Sequence, residues 1–307
     1  MPKLDNKKLN VDFFIAGAAK CGTSSLAEYL SQHSQICFAY PKEPAYFADE
    51  NFEPKYAFTR EEYAKCFKRN TEHKVTGEGS VLYIYSDTAV KNILEFNPQA
   101  KFIVMLRNPI DQVYSFFLQL RHCGYESEED FTAAWNREAF DKRSIRNLKQ
   151  VASTGTQLQR LLSMVQRDKV LLITLEDMIR NPREVYLNVL DFIGVEDDGK
   201  TEFEVVNQAG EHRNAFMKFI FMLITNNRFL YKLANNTIRF LGISAKTVSR
   251  IHKGKNINKV PLSMEMRRTM AADLKDQVEI LSGILGRDLS EDWLDFKPVN
   301  LDNSNGS

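Results

Sequence analysis

The chain has 307 residues, 43% hydrophobic and 26% charged, ordinary for a soluble globular protein and long enough for one large α/β domain or two small ones. Its formal net charge is +1, so no global basic field argues for nucleic acid, and any basic site is local. Cys21, Cys37, Cys66 and Cys123 have neither paired nor metal-like spacing, which points to free thiols in a reducing cytoplasm and to no bound metal.

Residues 1–10 are polar and charged, without the apolar centre of a signal peptide or anchor, and read as a flexible N-terminus. Val11 to Gly17 reads as a buried strand and Thr23 to His33 as the helix after it, with His33 a structural cap at the helix end. Phe38 to Phe58 carries two prolines around Lys42-Glu43 and reads as irregular chain, the kind of loop that presents functional groups. Glu61 to Lys68 predicts a short helix. Lys74 to Ser80 predicts a short strand running into a Gly-rich turn, and Asp87 to Phe96 an amphipathic helix closed by Asn97-Pro98. Lys101 to Leu106 is a continuous apolar run, the mark of a buried parallel strand, and it ends at Arg107-Asn108-Pro109, where a helix begins.

Helices are predicted over Phe131 to Phe140, Gly155 to Arg167, Asp177 to Arg180 and Pro182 to Ile193, with a strand over Val170 to Thr174. Strands alternating with helices imply an α/β fold with a central parallel sheet flanked by helices. Phe216 to Leu241 is helical in pattern and apolar. Its longest uncharged stretches are too short to span a bilayer, since Lys218 interrupts Ala215 to Thr225. Ser244 to Pro261 is basic and polar, Ser263 to Leu285 is an amphipathic helix capped by Ser263, and residues 300–307 read as a disordered tail.

The segment that organises the chain is Gly17-Ala18-Ala19-Lys20-Cys21-Gly22-Thr23-Ser24-Ser25, a tight loop between the first strand and the first helix. Small residues let the backbone approach a ligand, and the helix start aims N–H groups and a positive dipole end at one point. Lys20 adds a full charge, and Thr23, Ser24 and Ser25 add hydroxyls. Such a loop holds an anion, a phosphate or a sulfate ester. Cys21 reads as a loop filler rather than a nucleophile, because no motif supplies a base beside it. The order differs from the nucleotide-triphosphate loop, because Lys20 precedes Gly22.

The loop resembles the phosphosulfate loop of sulfotransferases that use phosphoadenylyl sulfate (PAPS), with Ala19 and Cys21 in place of the usual Pro and Ser. Leu106-Arg107-Asn108-Pro109-Ile110-Asp111-Gln112-Val113-Tyr114-Ser115 is similar to that family's second signature, L-R-[ND]-P-x-[DE]-R-x-x-S, with Gln112 for the Arg. The resemblance implies that Arg107 and Ser115 bind the ribose phosphate of PAPS, a role that suits a bidentate guanidinium. Lys42-Glu43-Pro44-Ala45-Tyr46-Phe47 resembles the K-E-P-x-[FY]-F stretch of heparan-type and bacterial sulfotransferases, which makes Glu43 the general base and Lys20 the group that neutralises the leaving phosphate. Glu78 is the rival base. Ser153 to Leu158 stands where the family has its G-x-Y-x-x-x-L helix start, without the aromatic. Lys253-Gly254-Lys255 resembles the late K-G-R loop that closes over the donor phosphates.

The resemblance runs from about Val11 to Trp293. It implies a P-loop-like three-layer fold in one domain over residues 11–299, with a helical acceptor-side region at about 211–262. The expected reaction moves a sulfuryl group from PAPS to an alcohol, or second to an amine, of a small metabolite, lipid or glycan precursor. It yields adenosine 3′,5′-bisphosphate and needs no metal. The rival readings are a P-loop kinase using ATP and magnesium, and a non-catalytic nucleotide-binding protein of the same fold.

Overall fold

The computed structural model describes residues 9–48, 59–138, 146–204, 210–212, 253–256 and 261–294. The predicted helix at Phe216 to Leu241, the first eight residues and the tail lie outside them.

Five strands form one parallel sheet: β1 (Phe13–Gly17), β2 (Ile36–Phe38), β3 (Val75–Gly79), β4 (Lys101–Leu106) and β5 (Val170–Thr174), in the order β2-β3-β1-β4-β5. Every residue of β1 is buried, as the strand at the centre of a sheet covered on both faces requires. The connections from β1 and from its neighbour β4 leave toward opposite edges of the sheet. The carboxyl ends of these two strands therefore flank the topological switch point, where open α/β sheets bind ligands.

The helices that follow β1 to β3 are α1 (Thr23–Ser31), α2 (Arg60–Ala64) and α3 (Ala89–Phe96), with a 3-10 turn at Val81–Ile84. After β4 come α4 (Pro109–His122), α5 (Phe131–Arg137), α6 (Leu148–Ala152) and α7 (Thr154–Met164). Helices α8 (Leu175–Arg180) and α9 (Pro182–Ile193) pack on β5. Strands β6 (Gly210–His212) and β7 (Lys253–Asn256) pair as an antiparallel ribbon. Helix α10 (Met264–Leu285) packs on α4 and α7, and α11 (Ser290–Trp293) follows it.

The caps explain the boundaries. Thr59 and Glu62 form a reciprocal capping box on α2, and Ser263 accepts from the Met266 N–H at 3.1 Å, as its sequence position predicted. Asn108 accepts from the Ile110 N–H at 2.9 Å, with Pro109 at the first helical position, where its missing N–H costs nothing. His33 is structural: its Nε2 meets the Glu196 carbonyl at 2.9 Å, and its Nδ1 accepts from the Gln35 N–H.

Two expectations are corrected. Gly77-Glu78-Gly79 is not a turn but the body of β3. Glycine is required at position 77 by packing, because a Cβ there would lie 2.1 Å from the ring of Phe13 on β1. Lys253-Gly254-Lys255 is strand rather than loop, and its side chains lie outside the described residues.

Candidate active site

Three adjacent strand ends, those of β3, β1 and β4, carry the candidate groups. β1 breaks register with β4 between Ile15 and Gly17, and the chain leaves the sheet there. The loop after it is fixed through its main chain. The Ala18 N–H donates to the Met105 carbonyl at 2.9 Å, and the Ala19 N–H donates to the Tyr85 hydroxyl at 3.0 Å. Lys20 then takes a left-handed backbone, φ 65°, and Gly22 another, φ 88°. A lysine adopts that conformation only where its surroundings hold it.

Gly22 opens α1 with no side-chain cap, and the Ser25 N–H donates to the Gly22 carbonyl at 3.0 Å, so the Thr23 and Ser24 N–H groups begin the helix at its positive dipole end. Lys20, Gly22 and Ser24 are partly exposed, whereas Thr23 and Ser25 are buried, Ser25 with its hydroxyl toward that of Tyr29. Cys21 is fully buried, its Sγ 3.5 Å from the Ala19 carbonyl, and burial pushes its thiol far above the usual range. Its side chain fills the loop's underside and is no nucleophile.

At the end of β4, Arg107 Nη1 donates to the Lys20 carbonyl at 3.2 Å, so the second signature physically touches the first. Ser115 lies on α4, 9% exposed. Behind Arg107, Glu176 Oε1 accepts from the Asn108 N–H at 3.2 Å, and burial raises the Glu176 carboxyl above its ordinary value. Asn108 Nδ2 donates to the Trp293 carbonyl at 2.8 Å, which docks α11 against the start of α4.

The Lys42-Glu43 segment hangs on the end of β3 by alternate N–H groups. Glu43 donates to the Gly79 carbonyl at 3.0 Å, Ala45 to Ser80 Oγ at 3.0 Å, and Phe47 to the Tyr83 hydroxyl at 3.5 Å. Glu43 and Ala45 both have left-handed backbones, φ 66° and 53°. Phe47 anchors the far end, edge-on to Phe14, Tyr63 and Phe96. Burying such a ring contributes about 1.5–3 kcal/mol, which offsets part of the backbone strain at the two residues. Glu43 pairs with Lys42 at 2.7 Å and keeps 41% of its side chain exposed.

Glu78, one residue before the end of β3, is in a different position. It is fully buried, both carboxyl oxygens lack a well-formed hydrogen bond, and the hydroxyls of Tyr63 and Tyr83 face it. Burial pushes its carboxyl up to about 8. It is a neutral acid at neutral pH, enclosed away from solvent.

The interactions of Tyr85, Ser80 and Tyr83 carry no sequence signal, since Tyr85 meets Ala19 from 66 residues away. Among the described residues, no group of three or more His, Cys, Asp or Glu is arranged to hold a metal ion, and no helix is long and apolar enough to cross a membrane.

Residues 10–218, more than half of the chain, match the sulfotransferase domain family. The chain belongs to that family. A human relative, bifunctional heparan sulfate N-deacetylase/N-sulfotransferase 2, is 26% identical over 193 residues, 60% of this chain. The membrane-associated sulfotransferase kil1 of Dictyostelium discoideum is 33% identical over 107 residues, 34% of this chain. The aligned region spans 22% of the length of each of those proteins. A sulfotransferase structure from Alicyclobacillus acidocaldarius superposes with a TM-score of 0.67 at 22% identity, over 93% of this chain and 99% of that one. The parallel sheet flanked by helices is therefore the sulfotransferase fold expected from the two signatures.

Proposed function

We propose that this sulfotransferase-family chain transfers a sulfuryl group from PAPS to a hydroxyl of a small metabolite, lipid or glycan, in the cytoplasm. The observation that carries the proposal is the placement of Lys20, Arg107 and Glu43 at the ends of three neighbouring strands, with the Arg107 guanidinium on the Lys20 carbonyl. The loop around Lys20 and the uncapped start of α1 suit the donor's 5′-phosphate. Arg107 and Ser115 suit the ribose phosphate, and the sequence resemblance alone adds Lys253, Gly254 and Lys255 as donor-binding residues.

In the reaction the acceptor oxygen attacks sulfur as the bond from sulfur to the 5′-phosphate oxygen breaks. The acceptor proton passes to Glu43, Lys20 balances the charge that grows on the departing phosphate, and adenosine 3′,5′-bisphosphate leaves. Glu43 is preferred to Glu78 as base because Glu43 is open to an acceptor and Glu78 is enclosed and protonated. An amine acceptor is the second reading, favoured by the N-sulfotransferase name of the human relative.

The test is calorimetric titration of the chain with adenosine 3′,5′-bisphosphate without metal, beside ATP with magnesium. Preference for the bisphosphate supports the proposal, and PAPS with a panel of alcohols and amines then finds the acceptor. Preference for ATP with magnesium replaces it with a kinase.

A further inference from the structure

Gln112 occupies the position at which the sulfotransferase signature carries an arginine, and its side chain is 1% exposed on the first turns of α4. Its Nε2 donates to the Ala19 carbonyl at 3.1 Å. Its Oε1 lies 3.4 Å from the Thr154 hydroxyl at the start of α7, whose shorter contact, 3.1 Å, is to the Val151 carbonyl, and its amide also faces the Tyr85 hydroxyl. Tyr85, itself 2% exposed, accepts the N–H of the same residue, Ala19, at 3.0 Å. Both main-chain polar groups of Ala19 are thus gripped by buried side chains from two separate elements. The next carbonyl, that of Lys20, is gripped by Arg107.

We infer that Gln112 and Tyr85 are positioning residues, a clamp on Ala19 that holds the loop in the shape its 5′-phosphate ligand requires. The inference rests on the reading of this loop as the seat of that phosphate. A loop of small residues has many conformations, and the left-handed Lys20 is not the one an unrestrained lysine prefers. An anion that must first gather the loop binds more weakly than one that meets donors already aimed. A glutamine offers what the family's arginine cannot: an N–H that donates to Ala19 beside an oxygen turned toward the Thr154 hydroxyl. It therefore links the phosphate loop, α4 and α7 through one neutral group.

The experiment separates the two phosphates of the donor. The full chain, Tyr85→Phe and Gln112→Leu are titrated with adenosine 3′,5′-bisphosphate and with adenosine 3′-monophosphate, which keeps only the ribose phosphate. Loss of one clamp bond weakens the bisphosphate about 5- to 10-fold and changes the monophosphate less than about twofold. Equal weakening of both ligands marks a general structural defect and overturns the clamp, as does unchanged affinity for the bisphosphate. If Gln112→Leu does not fold, Tyr85→Phe, which removes a single oxygen, decides alone. A parent chain that binds both ligands equally well overturns the reading of the loop itself, and the clamp falls with it.

Discussion

The Arg107 guanidinium donates to the Lys20 carbonyl at 3.2 Å, joining the carboxyl ends of β4 and β1 across the sheet's switch point. One side chain therefore braces the loop around Lys20 and, on the proposed reading, also offers the donor a charged fork. Arg107→Ala removes both, and affinity for adenosine 3′,5′-bisphosphate falls about 10- to 100-fold, read by calorimetry. Arg107→Lys recovers little, since a single ammonium cannot hold a carbonyl and grip a phosphate in the same planar geometry. An unchanged dissociation constant in Arg107→Ala removes this residue from the donor site.

Glu43→Gln keeps the size of the side chain and the main-chain bond to Gly79 while removing the proton acceptor. Transfer from PAPS to the acceptor found by screening slows by about 10²–10⁴, and bisphosphate affinity stays within about twofold. A variant that transfers at the parent rate shifts the base elsewhere.

Glu78 gives the chain a pH-dependent stability of definite sign. Its folded carboxyl titrates at about 8 against an ordinary 4.5, because burial disfavours the charge. Below the lower value both folded and unfolded chains hold the proton. Between the two, only the unfolded chain releases it, so stability declines as pH rises through that window and levels off above it. Glu78→Gln lacks this decline and gains on the parent by of order 3 kcal/mol between about pH 5 and pH 8. Urea unfolding at the two pH values measures the gain, and a constant offset assigns the ionisation to another group.

Gly77→Ala places a methyl carbon where the Phe13 ring already stands. Both residues lie in buried, paired strands, so neither can move without shifting the sheet. The variant loses about 1–3 kcal/mol or more, seen as a lowered thermal midpoint. A parent-like midpoint means that Phe13 has another rotamer available.

The strands β1 and β4 were legible because parallel strands buried on both faces read as unbroken apolar runs, and the edge strand β5, half-buried at Leu171 and Leu172, keeps the same apolar run. The positions of the Lys20 loop and Arg107 after two strands were legible because each follows an apolar run that breaks off sharply. β2 was not, since its three residues adjoin an irregular stretch rich in proline and aromatics. The glycines of β3 read as a turn because their cause, the Phe13 ring, lies on another strand. Gln112 looked like a neutral replacement. Its partners Ala19, Tyr85 and Thr154 come from three distant parts of the chain, and only the fold brings them together.

The bond from Asn108 to the Trp293 carbonyl has a consequence for how the molecule is made. Asn108 caps the helix that follows Arg107, and its amide N–H donates to a carbonyl 185 residues later. On the ribosome, the parallel sheet has all its strands once β5 has emerged, yet this bond waits for α11. A chain that stops before Trp293 lacks the carbonyl that the Asn108 amide holds, so the start of α4 loses its tie to α11.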